Sequence, residues 1–230
     1  MSSLYLIRHG QAGSRENYDL LSEQGKQQAA RLGDYLRENG IRFAAAYCGR
    51  MRRQRETAEA ALARLPEAPE IHVEPRWNEF SLEGLWEHMG PKMLAADADF
   101  ARDYERLHST NPGVDRVITH CDVQLIRAWI RGDHPTPDVE PWAEFRERVE
   151  ATREELLRFN SGENIAVFTS ATPTGIWCGN AFSLEPRQML RIAAVLYNTS
   201  FSTLRLRKDD LMLFSLNQTP HLDPGMRTFR

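Results

Sequence analysis

An arginine and a histidine stand side by side where an apolar run near the amino terminus ends. Residues 4–7 are all apolar, and Arg8, His9 and Gly10 follow directly. Neutral imidazole is a nucleophile towards phosphorus near pH 7, and the arginine fork matches the oxygens of a phosphoryl group. The alternative interpretation is a histidine that only closes the strand end with a hydrogen bond. The three residues therefore allow two interpretations, a site for phosphoryl chemistry or a structural strand end.

The apolar run predicts the strand that positions this pair. Consecutive apolar residues are typical of a strand buried on both faces, as in the centre of a parallel sheet. Ligands of open α/β sheets bind beyond the carboxyl ends of the strands, which is where the pair stands. Gly10 lets the chain turn there. The polar loop at residues 11–21 is expected to form a rim over the site, with Gln11 and Asn17 as weaker candidate contacts.

Helix and strand patterns alternate along the rest of the chain. Ser22 is typical of an N-cap, and the apolar spacing predicts a helix over residues 23–39 that ends before Gly40. Further helices are predicted after the basic residues 50–55, over 141–157, from Pro173 as the first helical residue, and over 186–196. Strands are predicted at 4–7, 43–47, 70–73, 164–171, 203–206 and 211–215, the last two as a hairpin. This alternation favours an α/β fold.

A second basic cluster precedes the helix after residue 50. Arg50, Arg52, Arg53 and Arg55 fall within six residues. A solvated basic face is one interpretation. Cations at a helix start oppose the macrodipole, however, so an anion is expected to compensate them there.

Together these segments resemble the histidine phosphatase superfamily, the phosphoglycerate-mutase-like enzymes. The first motif is Arg8-His9-Gly10, and the second is the stretch from Gly49 through Arg53 to Thr57-Ala58, although Arg50 stands where the pattern usually has proline. A third match is residues 145–149, which resemble a helix before the last catalytic strand. The resemblance implies a three-layer α/β/α sandwich with a mostly parallel central sheet.

The resemblance also implies roles for four residues. His9 would be the nucleophile that becomes a phosphohistidine, and Arg8 and Arg53 would bind the phosphate, with Arg52 as a weaker candidate. Glu79 would exchange protons with the leaving oxygen and then with water.

Glu83 is the reserve candidate for that proton exchange. A glutamate in a loop without this resemblance would be interpreted as a solvated side chain.

The chain departs from the family pattern at the polar end of the strand predicted over 164–171. Most members carry a second catalytic histidine followed by glycine there, whereas this chain has Ser170 followed by Ala171 and Thr172. Some members have Thr-Ser-Gly-Gly-Pro at this place, so the serine is interpreted as a subfamily trait. Ser170 is then expected to bind phosphate as a neutral donor.

His120 is the strongest rival among the remaining histidines, because the residues before it look like a strand that ends in histidine. The apolar spacing of Val114, Ile118, Cys121, Leu125 and Trp129 instead predicts a helix, with His120 off its apolar stripe. His88, His108 and His134 are weaker still.

Bulk composition narrows the class of protein. The chain has 230 residues, 41% hydrophobic and 27% charged, with a net charge of −3, and is interpreted as one domain over 1–230 with a helical insertion at about 84–141. The acidic balance argues against a nucleic-acid partner, and no segment has the length of a membrane span. Three scattered cysteines and no signal-peptide pattern predict a cytoplasmic protein. We expect no metal, no cofactor, a small phosphorylated substrate, and a monomer or homodimer.

Three functions remain in order of preference. The first is a phosphatase that acts through a phosphohistidine on His9, with activity reduced because Ser170 replaces a histidine. The second is a catalytically silent protein of the same fold that binds a phosphorylated ligand. A phosphoglycerate-type mutase comes third, because the resemblance implies that mutases keep both histidines.

Overall fold

A mixed six-stranded sheet is the centre of the larger of two compact units. The computed structural model describes residues 2–13, 18–110 and 119–229. Its strands are β1 (Ser2–Arg8), β2 (Ala45–Cys48), β3 (Ile71–Val73), β4 (Asn164–Thr169), β5 (Phe201–Leu206) and β6 (Leu211–Gln218). The strand order is β3-β2-β4-β1-β5-β6. The pairs from β3 to β1 are parallel, and those of β1 with β5 and of β5 with β6 are antiparallel.

Nine α-helices are described. They are α1 (Glu23–Glu38), α2 (Arg52–Leu62), α3 (Leu82–Ala96), α4 (Ala98–Thr110), α5 (His120–Arg131), α6 (Trp142–Glu150), α7 (Arg153–Leu156), α8 (Ala171–Asn180) and α9 (Pro186–Val195). Helix α1 confirms its prediction: the Ser22 side chain accepts a hydrogen bond from Gly25 N, Asn39 is the C-cap, and Gly40 follows with φ of 65°.

Strand β1 is buried on both faces, as its apolar sequence predicts. Leu4, Leu6 and Ile7 have no exposed surface. In the parallel ladder with β4, Arg8 lies opposite Thr169. The two strands therefore end side by side, and the residues that follow them begin at the same edge of the sheet.

Helices cover the two faces of the sheet. On one face, α1 and α2 pack through Leu32, Leu36 and Ala58 against a cluster that includes Ile7 and Phe168. Alternate residues of the strands point to the opposite face, where α8 contacts β1, β5 and β6. This arrangement confirms the α/β prediction, with three layers and a mostly parallel sheet of the phosphoglycerate-mutase-like type.

The smaller unit is Phe80–Arg148, and the larger one comprises the chain up to Glu79 and from Val149 onward. The smaller unit has its own aromatic cluster, in which Trp129 packs against Phe80, Trp142 and Phe145. The predicted insertion at 84–141 lies inside this unit, and the assignment of the whole chain to one domain stays a prediction.

Two helix predictions are wrong in detail. The helix predicted over 141–157 is broken into α6 and α7 at residues 151–152, where the buried Thr152 hydroxyl donates to the Val149 carbonyl. Pro173 is the third residue of α8 rather than the first, since Ser170 at the end of β4 is already the N-cap.

The apolar stripe of α5 is confirmed only for its described part. Cys121, Leu125 and Trp129 are buried, whereas Val114 and Ile118 lie outside the described residues. Over residues 2–13, 18–110 and 119–229, no helix combines the length and apolar character that a membrane crossing requires.

Candidate active site

The turn after β1 holds His9 by its backbone. His9 N donates to the Thr169 carbonyl at 2.9 Å, and the Asn198 side chain donates to the His9 carbonyl at 3.0 Å. Gly10 N donates to the Thr57 hydroxyl at 2.9 Å, which ties the turn to α2. A Cβ on Gly10 would lie 2.6 Å from the Gly25 carbonyl oxygen, so the close approach to α1 requires glycine.

The partners of the His9 imidazole determine its tautomer. Nδ1 lies 2.8 Å from the Gly10 carbonyl oxygen, which can only accept, so Nδ1 carries a proton. Arg53 Nε lies 3.3 Å from Nε2 and can only donate, so Nε2 presents its lone pair. Both contacts agree on a neutral ring, whose Nε2 lone pair accepts from Arg53 and can act as a nucleophile once that hydrogen bond is released.

The surroundings of His9 keep the ring neutral. Its side chain is buried, and burial is the main reason that its pKa lies well below the usual value of 6.5. The positive charges of Arg53 and Arg8 lower that pKa further, against the smaller opposing effect of the Gly10 carbonyl. At pH 7 the imidazole is therefore an unprotonated base.

Arg53 is the cation in direct contact with His9. Its side chain is buried in the first turn of α2, beneath the Tyr18 ring at 5.1 Å, and Nη1 donates to Asp19 Oδ1 at 2.9 Å. The other oxygen of Asp19 accepts from Arg52 N at 3.1 Å. The anion expected at the start of this helix is thus supplied by the chain itself.

Arg8 points towards the carboxyl-terminal segment. Its two terminal nitrogens donate to the carbonyls of Leu196 and Phe229, and its buried Nε has no partner among the described residues. Burial lowers the pKa of Arg8 to about 10, which leaves it charged at pH 7. Arg8 therefore keeps a positive charge and an Nε–H unpaired in the described part of the chain, while each of its terminal nitrogens already donates one hydrogen bond.

Glu79 and Ser170 meet at the start of α8. Glu79 Oε2 accepts from Thr172 N at 3.0 Å, in the first turn of α8. Ser170 is the N-cap residue, yet its hydroxyl makes no capping bond and instead accepts from Gln54 Nε2 at 2.9 Å. Since Gln54 follows Arg53 on α2, one helix turn joins the ends of β1 and β4.

The structure therefore links five predicted residues, by a direct contact, through Gln54 or by charge. His9 contacts Arg53, Ser170 is joined to them through Gln54, and the charge of Glu79 acts on Arg8. Their roles in chemistry stay a prediction.

The weaker candidates are placed elsewhere or serve other contacts. The Gln11 side chain accepts from the Ser22 hydroxyl at 2.8 Å, and Arg52 is exposed and paired with Glu56. Glu83 is exposed in the first turn of α3, in the smaller unit. Asn17 lies outside the described residues.

Of the rival histidines, His120 is exposed and lies 3.6 Å from Asp103, and His88 lies 3.4 Å from Asp138. His134 is half-buried, and the His108 side chain lies outside the described part of the chain. Over the described residues, no group of three or more His, Cys, Asp or Glu side chains is placed to hold a metal ion.

Sequence reasoning missed three residues of this site. Gln54 had a usable signal, because it is a polar residue among the buried positions Arg53, Thr57 and Ala58 of α2. Asp19 lies in the polar loop at 11–21 that is expected to form a rim over the site, but no pattern distinguishes it there, and Asn198 stands in a segment without periodic pattern.

Comparison with known proteins identifies the family. Residues 4–219 match the model of the histidine phosphatase superfamily (branch 1). No curated protein matches the chain in sequence.

Solved structures share the fold at low identity. YhfR of Bacillus stearothermophilus is 17% identical with a TM-score of 0.66, covering 96% of this chain and 99% of that one. The alpha-ribazole phosphatase of Shigella flexneri is 18% identical with a TM-score of 0.62, covering 94% and 96%. The phosphoglycerate mutase of Bacillus anthracis str. Sterne is 18% identical with a TM-score of 0.63, covering 96% and 94%. Since the family model spans nearly the whole chain, the protein belongs to the histidine phosphatase superfamily.

Proposed function

We propose that this protein is a phosphatase that hydrolyses a small phosphorylated compound through a phosphohistidine on His9. The observation that carries the proposal is the contact of 3.3 Å between the Arg53 guanidinium and His9 Nε2. The contact supports the proposal because a buried cation can bind a phosphoryl oxygen, and the nitrogen beside it belongs to a neutral imidazole that can attack phosphorus. The similar folds of an alpha-ribazole phosphatase and a phosphoglycerate mutase support phosphoryl chemistry in general.

In the first step, His9 Nε2 attacks phosphorus, and the bond from phosphorus to the substrate oxygen breaks. Glu79, protonated in this step, gives its proton to the departing oxygen. Arg53 and the Nε of Arg8 donate to the phosphoryl oxygens and offset their charge.

In the second step, a water oxygen attacks phosphorus and the bond to Nε2 breaks. The Glu79 carboxylate takes the proton of the water, which restores its protonated form, and inorganic phosphate leaves. Neutral His9 is regenerated, so the cycle consumes only substrate and water.

Ser170 belongs to this proposal as the neutral counterpart of a second histidine. It follows β4 as His9 follows β1, and its hydroxyl lies next to the helix terminus that holds Glu79. We assign the chain to those members of the superfamily that carry serine here. Loss of one preorganised donor typically lowers a rate by on the order of 10²-fold to 10³-fold, which predicts a slow enzyme rather than an inactive one.

A silent phosphate-binding protein is the second candidate, favoured by one observation. Asp19 and the carbonyls of Leu196 and Phe229 already satisfy donors of Arg53 and Arg8. A ligand must displace or complement these partners, and a protein that only binds would meet the same requirement.

The test is phosphate release from para-nitrophenyl phosphate by the wild type and by His9→Ala. We expect release only from the wild type, together with an acid-labile phosphoryl label on His9 after rapid quenching. The exposed His72→Gln variant is the matched control and should behave as the wild type. Undiminished release by His9→Ala would contradict the proposal, and phosphate binding without release or label would favour the silent binder.

The substrate would be found by a screen of phosphorylated metabolites with phosphate release as the readout.

We place the protein in the cytoplasm, a proposal supported by the three buried free thiols of Cys48, Cys121 and Cys178.

A further inference from the structure

Gln54 is a fully buried amide that contacts the serine of the proposed site. Its Nε2 donates to the Trp77 carbonyl at 3.2 Å and to the Ser170 hydroxyl at 2.9 Å. Its Oε1 is buried without a hydrogen-bond partner among the described residues. A buried acceptor left unpaired is costly, so the arrangement needs a reason.

The Trp77 carbonyl determines which way the amide faces. A carbonyl oxygen only accepts, so the nitrogen of Gln54 and not its oxygen must point towards Trp77 and Ser170. The Thr169 hydroxyl donates to the same carbonyl at 2.6 Å, which fills its second lone pair. The Ser170 hydroxyl is therefore an acceptor towards Gln54, and it cannot turn its hydrogen to the Trp77 carbonyl.

The hydroxyl hydrogen of Ser170 is left without an acceptor in the described residues. Ser170 also makes no capping bond to α8, which would be the usual use of an N-cap serine. Both facts leave this hydrogen available for a bound anion.

We propose that Gln54 is a positioning residue that holds Ser170 as a hydrogen-bond donor for the phosphoryl group bound by His9 and Arg53. The inference rests on the proposed function and adds a second requirement to it. Gln54 occupies one lone pair of the hydroxyl and keeps its hydrogen out of that direction, so that Ser170 can donate to the anion without being charged.

The Gln54 amide is closely packed on one side and in hydrogen-bond contact with Ser170 on the other. Gly49 faces the Gln54 amide so closely that a Cβ there would overlap Oε1 and would lie 2.7 Å from Asn78 Oδ1. Because Ser170 is buried, a much larger side chain at position 170 must displace a neighbour, and the Gln54 amide is the neighbour in hydrogen-bond contact, at 2.9 Å. Gln54 and Ser170 therefore work as a pair.

The experiment is a double-mutant cycle on Gln54→Leu and Ser170→Ala. Leucine keeps the volume and removes the donor. We expect Ser170→Ala to lower kcat/KM by on the order of 10²-fold and Gln54→Leu by about 10-fold, most of it in kcat. The double variant should equal Ser170→Ala alone, because Gln54 acts only through the hydroxyl. Losses that multiply, or a Gln54→Leu enzyme as active as the wild type, would overturn the inference.

Two controls separate this effect from loss of folding and from failure of the proposed function. Thr152→Val removes a buried hydrogen bond on a segment without candidate residues and should change the melting temperature but not kcat. The same double-mutant cycle can be measured without turnover, by calorimetry of the affinity of each variant for inorganic phosphate. If the wild type releases no phosphate but binds it, the proposed function fails, and the inference stands only if Gln54→Leu weakens binding when Ser170 is present. A wild type that neither binds nor releases phosphate overturns both.

A volume swap gives a second test. Ser170→His alone should be poorly folded or inactive, whereas Gln54→Ala combined with Ser170→His frees the space and should be at least about 10-fold more active than the single variant. Equal activity of the two would overturn the pairing.

Discussion

The ends of β1 and β4 are neighbours in one parallel ladder, yet they carry opposite kinds of polar group. After β1 come a buried arginine and a histidine whose ring touches a second buried arginine. After β4 come a hydroxyl held by an amide and the amino terminus of α8, which holds the carboxylate of Glu79. One strand end concentrates positive charge, and the other offers neutral donors and an acid.

This difference has an electrostatic reason. Arg8 and Arg53 already lower the pKa of His9, and a third cation in the same buried space would be repelled by both. A serine adds a donor without adding charge. The comparison therefore predicts that His9 contributes its lone pair and Arg53 its positive charge. Ser170 and Gln54 are instead expected to contribute an oriented, neutral hydrogen bond.

The largest effect is expected when the acid at the β4 end is removed. Glu79→Gln keeps an oxygen that can accept from Thr172 N but cannot exchange a proton. General acid and base catalysis contributes about 10²-fold to 10⁴-fold, so kcat for an alkyl phosphate should fall by that factor. Phosphorylation of His9 by para-nitrophenyl phosphate, whose leaving group needs no proton, should be much less affected. A larger loss in Glu83→Gln would assign the acid to Glu83 instead.

The next effect tests geometry at the β1 end. Arg53→Lys keeps the charge but cannot contact His9 Nε2 and Asp19 at once, because the rigid fork is lost. We expect kcat/KM to fall by about 10-fold to 10²-fold. Arg55→Lys is the matched control, since Arg55 is exposed on the same helix and lies 3.7 Å from Glu59. Wild-type activity of Arg53→Lys would show that charge alone suffices.

Much of this comparison could be predicted from sequence, because strand ends are local features. The apolar runs that end at Arg8 and Ser170 are enough to predict that both residues lie at one edge of a parallel sheet. Their partners could not be predicted, since Arg8 meets a carbonyl 221 positions away and Gln54 meets Ser170 116 positions away. The spacing of apolar residues predicts which face of a helix or strand is buried. It does not predict which polar atom from a distant part of the chain is the hydrogen-bond partner on that face.

A third effect appears in stability as a function of pH. Because burial, Arg53 and Arg8 lower the pKa of His9, the unfolded chain binds a proton below pH 6.5 that the folded chain rejects. The free energy of unfolding should therefore be highest above pH 6.5 and fall as the pH drops below it. His9→Gln should flatten this dependence, whereas Ser170→Ala, which changes a neutral group, should leave it unchanged. Urea unfolding at pH 7 and pH 5 measures the difference.

His221 contributes to the same pH range and must be separated from His9. It lies buried between the Thr199 hydroxyl, at 3.0 Å, and the rings of Tyr35 and Phe201. Burial, and then Arg31, lower its pKa to about 4, which corresponds to about 2 kcal/mol lost between pH 6.5 and pH 5. His221→Gln should remove that part of the slope without removing the part due to His9. A slope unchanged by either variant would contradict the neutral state of both rings.

The smallest effect concerns the anion that the chain places on the β1 side. Asp19 binds both Arg53 and the first turn of α2, so it occupies donors that a phosphate would use. Its side chain is 50% exposed, and exposed ion pairs contribute about 0.2–1 kcal/mol. Asp19→Asn should therefore strengthen the binding of inorganic phosphate by about 2-fold to 5-fold and slightly lower the melting temperature, with calorimetry and thermal unfolding as the measurements. Weaker phosphate binding would mean that Asp19 positions Arg53 for the anion instead of competing with the anion. Phosphate binding by Arg53 would then require the ion pair with Asp19.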